Sequence, residues 1–525
     1  MPKSDFRERL PTVIECFSDF VESHGVLTVC IFSVIYWIVT CALGASKLLW
    51  YDELWTYYPA KLKTAVDTWN FFMRGNDLHT PLASLAVRAA TALFGNNELG
   101  IRIPVIAAYW FMCVCIYAFV SRCCSRVFAA AAMMFPLIAS TYYYATEARP
   151  YGIVLGFSAA AILCWQRASS CQQRMPWWIL ALWLSLTLAV CAHFLALFLA
   201  IGLFFGEAVK TIRNKRLDTP VVAALILGVA PILFFVPAAL RARQIYAGSF
   251  WSRPGLMDVA NTYRDLINLA FFALLAGLIL WAIASLYTKK QKQALEMRLP
   301  RHEVFAVSTL ALLPVYTLPV FFVLGSFVPR YLLYTIVGLT ISLAMLAYRS
   351  SKGDRLLGGA LLLVFSGWFL FKAPSAIHAN ISERGGHFLG PAQPYENTLW
   401  MAQIERSNLP VVLTPAVFYL QFQHYAPLHV KERAYYLLSK EDSLRYTGTS
   451  TGEINLALLS RVIPIKAVDY GKFLPANPHF LVCAEMTNPT WVVQKLVDEG
   501  ISLRLLVRQD SHFLFDVQTA TEPSR

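Results

Sequence analysis

The sequence has few charged residues. Asp, Glu, Lys and Arg make up 15% of its 525 residues, whereas 57% are hydrophobic. Its 11 cysteines show neither the spacing of a disulfide framework nor that of a metal site, and the polar C-terminal part has no phosphate-binding glycine fingerprint and no P-loop. These absences exclude a soluble globule for residues 1–372 and a disulfide scaffold for the remainder.

Long apolar runs are abundant in this first part. Runs of about 20 residues are long enough to cross a bilayer as helices. A cleaved signal peptide is the alternative for the first run, although that run exceeds a signal core of about 7–15 residues. The pattern predicts an α-helical polytopic membrane protein with eleven transmembrane segments, at 25–44, 101–120, 127–144, 151–166, 177–191, 193–209, 219–240, 264–287, 303–325, 331–348 and 355–372.

The net charge of +13 indicates topology rather than nucleic-acid binding, because the basic residues lie between the apolar runs instead of forming one stripe. With a cytoplasmic N-terminus, every short cytoplasmic connection is basic, including the one with Lys289, Lys290 and Lys292, as the positive-inside rule requires. We therefore expect a multi-pass membrane protein with a cytoplasmic N-terminus and the lipid bilayer as its surroundings.

The composition becomes more polar after residue 372, which predicts two domains. Residues 1–372 form the membrane domain and residues 373–525 a small soluble α/β domain. An odd number of spans places this accessory domain on the extracytoplasmic side. Its predicted elements are strands at Val411–Leu413 and Phe480–Val482, helices at Pro415–His424 and Trp491–Glu499, and a closing hairpin of Leu503–Val507 with Phe513–Val517.

The first outer loop, residues 45–100, has a pattern of its own. Apolar residues recur at helical spacing between Trp55 and Met73, and again from Leu82 to Phe94. This spacing predicts two amphipathic helices on the membrane surface. Pro81 suits the first turn of the second helix, with Thr80 as its cap.

Polar residues in several outer loops are predicted to face one side of the membrane. Ionisable groups near hydrocarbon are costly and are usually kept for function, although an interfacial belt by itself explains Trp and Tyr. Their shared side argues for one extracytoplasmic site. The residues are Asp52, Glu53, Asp77, His79, Glu147, Arg149, Tyr151, His193, Arg253, Arg330 and Tyr331.

The order of these motifs resembles the C-type glycosyltransferase superfamily. Within it the pattern is similar to the protein O-mannosyltransferases, the lipid A aminoarabinose transferases and their bacterial relatives. The resemblance covers roughly residues 20 to 350 and departs from the family pattern at Thr80 and Thr146. It rests on Asp52-Glu53, on Asp77-Leu78-His79-Thr80-Pro81-Leu82, on Phe94-Gly95 followed by Arg102-Ile103-Pro104, on Glu147-Ala148-Arg149-Pro150-Tyr151, and on Arg330-Tyr331.

This resemblance implies a sugar donor linked to a polyprenyl phosphate, a periplasmic active site and a catalytic base from the first loop. Attack of a hydroxyl on an anomeric carbon with a phosphate leaving group needs a base but no separate acid. We assign Asp52 as the base by its family position, and Glu53 to orienting, hydrogen-bonding or metal contact. The expected reaction is an inverting single displacement onto a glycan, lipid or protein hydroxyl.

The leaving phosphate needs cations, and the guanidinium fork suits it. Arg330 is the first candidate and Arg149 the second. Snorkelling to the interface is the alternative for both, and Glu147 is a possible ion-pair partner of Arg149. The donor-binding group is completed by Tyr331, His79 and Arg102, and the other pocket candidates are Asp77, Glu147, Tyr151, His193 and Arg253.

Three alternatives stay open. Glu53, Asp77 and His79 carry oxygen and imidazole ligands, so a divalent metal is one possible cofactor. A transporter or lipid flippase is also polytopic, but it is expected to show internal repeats and charges near the midplane of its spans, and the sequence shows no repeat. A non-enzymatic scaffold with an outer sensing domain leaves the shared side of the polar residues unexplained.

Overall fold

The computed structural model describes residues 4–77, 79–170, 176–246, 248–287, 299–388, 390–486 and 490–519. The connection with Lys289, Lys290 and Lys292, which is predicted to be cytoplasmic, lies outside these residues. The chain divides into two compact units. Unit 1 consists of Met1–Gly44, His79–Val236 and Pro254–Ala376, and unit 2 of Ala45–Leu78, Pro237–Arg253 and Ile377–Arg525. Unit 2 therefore contains two segments that precede the predicted domain boundary after residue 372.

The elements follow one another along the chain as helices first and an α/β region last. The α-helices are α1 (Ser4–Ser23), α2 (Gly25–Ser46), α3 (Tyr51–Ala60), α4 (Ala65–Met73), α5 (Leu82–Phe94), α6 (Glu98–Cys123), α7 (Arg126–Ile138), α8 (Pro150–Ser170), α9 (Pro176–Ala192), α10 (Leu199–Asn214), α11 (Thr219–Val229), α12 (Ile232–Tyr246), α13 (Asp258–Tyr287), α14 (Arg301–Ala311), α15 (Leu313–Leu324), α16 (Thr335–Ser350), α17 (Arg355–Glu383), α18 (Leu399–Glu405), α19 (Ala416–Tyr425), α20 (Leu428–Lys431), α21 (Lys440–Thr447), α22 (Thr451–Leu459), α23 (Tyr470–Ala476) and α24 (Trp491–Asp498). The 3-10 helices are η1 (Ser140–Ala145), η2 (Phe194–Phe198) and η3 (Pro329–Leu332), and the strands are β1 (Val411–Thr414), β2 (Ala434–Leu438), β3 (Ala467–Asp469), β4 (His479–Glu485), β5 (Ser502–Gln509) and β6 (His512–Gln518).

The apolar helices confirm the predicted membrane fold. Among the described residues, seven helical stretches are long and apolar enough to cross a membrane, and the pair α14 and α15, bent by 45°, forms an eighth if it is one span. Four shorter apolar helices are α5, α7, α9 and α16. Each of the eleven predicted segments overlaps one of these apolar helices. Two segments are interrupted near Pro231 and Pro314, because proline donates no backbone hydrogen bond to the preceding turn.

Small residues allow the helices of unit 1 to pack closely. A Cβ atom on Gly156 of α8 would lie 2.5 Å from the carbonyl oxygen of Ala108 in α6. A Cβ atom on Gly338 of α16 would lie 2.6 Å from the Cβ of Leu310 in α14. Without a hydrophobic driving force between helices in lipid, such close backbone approach supplies much of the packing energy. These glycines are therefore structural.

The first outer loop contains three helices where two are predicted. The stretch from Trp55 to Met73 is broken into α3 and α4, because Thr64 and Asp67 form a capping box that restarts the helix. The second predicted helix matches α5. The predicted cap is wrong: no side-chain cap bond is present at the start of α5, and the Thr80 hydroxyl donates instead to the carbonyl of Cys191.

Unit 2 is built on a mixed sheet. Within the described residues the sheet has six strands in the order β3-β2-β1-β4-β6-β5. The first four strands are parallel to one another. Strand β6 is antiparallel to both of its neighbours, β4 and β5. This arrangement confirms the α/β class, the strands β1 and β4 and the closing hairpin. The strands β2 and β3 were not predicted.

The contact at Gly156 predicts that alanine destabilises the protein at this position but not at Gly367, where a methyl group has room. Gly156→Ala should lower the thermal unfolding temperature in detergent, because its methyl group meets the Ala108 carbonyl and overpacking costs about 1–3 kcal/mol. Gly367→Ala in α17 is the matched control, since nothing lies within 4 Å of its Cβ position. Alanine there should be neutral or stabilise by up to about 1 kcal/mol. Equal shifts for both variants would contradict the packing argument.

Candidate active site

Several predicted site residues of unit 1 lie at the beginnings of helices. His79 precedes α5, Arg149 directly precedes α8, and His193 is the N-cap of η2, which leads into α10. Arg330 lies on η3, just before α16. Backbone N–H groups at a helix beginning have no partner within the helix and carry a partial positive charge. These positions therefore suit an anionic ligand.

His79 and Arg149 are in direct contact. Arg149 Nη2 lies 3.0 Å from His79 Nδ1, and His79 Nε2 lies 3.3 Å from the Tyr151 hydroxyl oxygen. Arg149 Nη2 also lies 3.4 Å from His79 Nε2. Because a guanidinium only donates hydrogen bonds, the imidazole ring of His79 is the acceptor in this contact. Arg149 is only 4% exposed, so its charge is held inside the protein instead of reaching solvent.

The ring of Tyr151 is the centre of the cluster. Its centroid lies 5.3 Å from that of Tyr144, 5.8 Å from that of His79 and 5.9 Å from that of His193. The guanidinium carbon of Arg330 lies 5.7 Å from the same centroid, within the range of a cation–π interaction. Tyr151 therefore links residues from four separate stretches of sequence.

The beginnings of η2 and α16 are also joined to each other. The Tyr334 hydroxyl donates to the carbonyl of Leu195 at 2.6 Å. The rings of His193 and Tyr331 lie 5.8 Å apart. Both predicted residues are buried, so His193 and Tyr331 belong to the same cluster as Tyr151.

A cavity of about 300 Å³ adjoins the cluster. Arg330 and Tyr144 line it and also contact the Tyr151 ring. The cavity therefore offers a cation and hydroxyl groups to a ligand beside the helix beginnings. Its lining residues are Ser140, Thr141, Tyr143, Tyr144, Thr262, Asp265, Leu266, Pro329, Arg330 and Leu333.

The acidic pair lies in unit 2, at the beginning of α3. Glu53 is fully buried, and its Oε2 accepts from the backbone N–H of Trp50 at 3.5 Å. This contact gives Glu53 a structural role at the helix start. Asp52 is partly exposed. Burial raises the pKa of Tyr51, and the nearby carboxylates of Asp52 and Asp77 raise it further, which shows that both acids lie in the same polar region of unit 2.

Other predicted residues have different surroundings. Arg102 is fully buried and donates from Nη1 to the carbonyl of Gly44 at 2.6 Å, which ties α6 to α2. Glu147 is buried, and its carbonyl accepts from the backbone N–H of Arg149 at 2.7 Å. Arg253 is exposed. The roles of these three residues in ligand binding stay predictions.

The metal alternative depends on Glu53, Asp77 and His79. In the part of the chain that the structure describes, no three or more His, Cys, Asp or Glu side chains are grouped so that they could hold a metal ion.

Two features of the structure were not predicted from the sequence. Tyr144, which contacts Tyr151 and lines the cavity, is the last of three consecutive tyrosines shortly before the Glu147 motif, and that run is a usable signal. The second is the polar stretch 447–455, which binds other segments of unit 2. Its signal is a run of hydroxyl residues and glycines that leads into an apolar helix.

Comparisons with known proteins agree with this architecture. Residues 78–240 match the sequence model of a family described as dolichyl-phosphate-mannose-protein mannosyltransferase. The fold is similar to crystal structures of ArnT from Cupriavidus metallidurans, bound to undecaprenyl phosphate (11% identity, TM-score 0.55) and in the apo state (12% identity, TM-score 0.56). Each superposition covers 94% of this chain and 98% of the ArnT chain. No curated protein matches significantly by sequence.

The helical membrane fold and the matched segment define a membrane-bound glycosyltransferase. They confirm the resemblance that the motifs predict. The matched segment and the fold are both similar to the C-type glycosyltransferases, which use lipid-phosphate-linked sugars.

The position of the Tyr151 ring predicts a difference between two substitutions. Tyr151→Phe keeps the ring that Arg330, His193 and Tyr144 contact and loses the hydroxyl that lies 3.3 Å from His79 Nε2, so activity should fall less than about 5-fold. Tyr151→Leu removes the ring and with it a cation–π interaction of about 0.5–2 kcal/mol, and activity should fall at least about 10-fold. Sugar transfer by membranes containing equal amounts of each variant measures both effects. A larger loss in Tyr151→Phe would show that the hydroxyl, and not the ring, organises the cluster.

Proposed function

We propose that the chain transfers a sugar from a polyprenyl-phosphate-linked donor to a hydroxyl acceptor on the extracytoplasmic face, with inversion in a single displacement. The observation that carries this proposal is the cluster of His79, Arg149, His193 and Arg330 at helix beginnings beside a cavity in unit 1. The apolar helices of this unit suit a donor with a long hydrocarbon chain.

The cluster is suited to a phosphate in two ways. Helix beginnings favour an anion by about 0.3–1 kcal/mol each at exposed sites and more when partly buried. Arginine adds charge-assisted and bidentate hydrogen bonds to phosphate oxygens. Arg330 lines the cavity and is the first choice for this contact, and Arg149, held by His79, adds a second positive charge. The ArnT crystal structure with undecaprenyl phosphate, which has the same fold, supports a polyprenyl phosphate as the ligand.

The proposed reaction needs only one proton acceptor. The acceptor hydroxyl oxygen attacks the anomeric carbon as the bond from that carbon to the phosphate oxygen breaks. The phosphate leaves with the electron pair, and the Asp52 carboxylate takes the hydroxyl proton. Attack from the side opposite the leaving group inverts the anomeric centre. Positive charge near the phosphate lowers the barrier, because negative charge develops there in the transition state.

The same proposal includes the membrane arrangement. All eleven predicted segments overlap apolar helices of the described residues. The basic residues between the predicted spans support a cytoplasmic N-terminus. With an odd number of spans, the C-terminal domain then lies on the extracytoplasmic side of a bacterial inner membrane. The acceptor is a glycan, lipid or protein hydroxyl. Transport or lipid flipping, the alternative from sequence, has no comparable support from the family match or the fold.

Removal of the proposed base tests the reaction. Cells that lack the chain should accumulate its polyprenyl-phosphate sugar, which mass spectrometry of lipid extracts detects, and the wild-type chain should remove the excess. Asp52→Asn keeps the size of the side chain and removes its basicity, so transfer should fall about 10²–10⁴-fold while the accumulated donor remains. Asp510→Asn, in the hairpin turn between β5 and β6, is the control and should behave as wild type. Near-normal turnover by Asp52→Asn would exclude Asp52 as the base.

A charge-conserving substitution tests phosphate contact at Arg330. Arg330→Lys keeps the charge but loses the guanidinium fork, and hydrogen bonds to charged groups are worth about 1.5–3 kcal/mol, so transfer should fall roughly 10- to 100-fold without loss of thermal stability. Arg349→Lys, exposed at the opposite end of α16, is the matched control. If both lysine variants turn over donor equally, Arg330 only anchors its helix at the interface.

A further inference from the structure

The C-terminal part of unit 2 holds the residues that lead into α3. The backbone N–H of Leu49 donates to the Tyr425 hydroxyl at 2.7 Å, and the Leu49 carbonyl accepts from Gln421 Nε2 at 3.1 Å. Both partners lie on α19. The rings of His424 and Tyr57 pack at 5.5 Å. The helix that carries Asp52 is therefore bound along its length by α19.

A second set of contacts is centred on Asn455 of α22. Asn455 Nδ2 donates to the Tyr51 hydroxyl at 2.9 Å. The Tyr246 hydroxyl lies 2.7 Å from Asn455 Oδ1 and 3.0 Å from the carbonyl oxygen of Asn76, and shares its proton between these two acceptors. The hydrogen bonds of Asn455 and Tyr246 thus reach Tyr51, which precedes Asp52, and Asn76, which precedes Asp77.

The start of α22 also binds the segment that contains Tyr246. The carbonyl oxygen of Ser249 accepts from the Thr449 hydroxyl at 2.7 Å, the Thr451 hydroxyl at 2.8 Å and the backbone N–H of Ser450 at 3.3 Å. We call Thr449, Thr451 and Asn455 the polar clasp. Through it one short stretch of sequence connects residues 45–78 and 237–253, which are both inserted in unit 2.

The Asn455 end of the clasp and its two tyrosine partners are shielded from water. Tyr51 and Asn455 are each 8% exposed, and Tyr246 is 7% exposed. A hydrogen bond in such a place is geometrically demanding, because water does not readily replace a lost partner. Tyr51 and Asp52 are adjacent on a helix, so a rotation of α3 that moves the Tyr51 hydroxyl also moves the Asp52 carboxylate.

We propose that Asn455 is a positioning residue for the transfer reaction: it fixes the orientation of α3, and thereby of Asp52, through the Tyr51 hydroxyl. This inference rests on the proposed role of Asp52 as the base. It gives the C-terminal domain a part in catalysis, which is to hold the proton acceptor still. A displacement of about 1 Å in a reacting group can cost about 10²-fold in rate, so the bond has a measurable consequence.

The first test breaks the bond from each side. Tyr51→Phe removes one hydroxyl and leaves the C-terminal domain unchanged, and Asn455→Ala removes the amide. Each should lower kcat about 10- to 100-fold, with the KM for donor changed less than about 3-fold, because the phosphate contacts of unit 1 are intact. The probe is the polyprenyl-phosphate sugar fraction extracted from cells that lack the chain. Asn477→Ala is the matched control, since Asn477 Nδ2 donates only within its own helix region, to the Phe473 carbonyl at 3.0 Å.

The second test asks whether Asn455 acts through Asp52. The double variant Tyr51→Phe with Asn455→Ala should lose no more than either single variant, as expected for two partners of one interaction. In the Asp52→Asn background, Asn455→Ala should reduce the residual rate no further. A general loss of stability would instead reduce that residual rate again and lower the unfolding temperature of every variant.

The outcomes separate this inference from the proposed function. An active Asp52→Asn variant overturns the proposed base and the positioning role with it. An inactive Asp52→Asn variant together with normal kcat in Tyr51→Phe and Asn455→Ala overturns only the positioning role. Equal losses in the Asn477→Ala control would also overturn it, because the effect would then not belong to the clasp.

Discussion

The cost of an unsatisfied polar group in hydrocarbon is the constraint on which the structure depends. Within a membrane-spanning helix the backbone groups are satisfied internally, and polar chemistry is tolerated mainly where a helix begins or ends. In unit 1 the buried guanidinium of Arg149 is accommodated at such a beginning, where His79 accepts its hydrogen bond. The residues just before the apolar helices α5, α8 and α16 thus include His79, Arg149 and Arg330, the polar residues of the candidate site.

The position of the acidic pair, Asp52 and Glu53, depends on contacts outside its own helix. Helix α3 has only 10 residues, and an isolated helix of this length is marginal in water because nucleation is costly. Its position must therefore come from contacts outside itself. Leu49, Tyr51 and Tyr57 are bound by α19 and α22 of the sheet region. The C-terminal part of unit 2 thus supplies order to the short helix that carries the proposed base.

Elements that depend on local sequence could be predicted, whereas contacts between distant side chains could not. The spans were predictable because the period and length of apolar runs are set by the bilayer, and α5 was predictable because its apolar spacing and Pro81 act within a few residues. The pairing of His79 with Arg149 joins residues 70 apart, and that of Tyr51 with Asn455 joins residues 404 apart. Such pairs depend on tertiary packing, which the spacing of residues along the sequence does not reveal. The prediction of one continuous helix across α3 and α4 failed for a different reason. The Thr64 capping box starts a new helix although the apolar spacing continues.

The guanidinium groups of the cluster bear on how the proposed phosphate site responds to pH. Arg149 donates to the ring of His79, and Arg330 lies over the ring of Tyr151. Guanidinium groups stay protonated throughout the range in which proteins function. The positive charge that these two arginines give the proposed phosphate site therefore does not change with pH. A pH dependence of sugar transfer then reports other groups, among them the proposed proton acceptor.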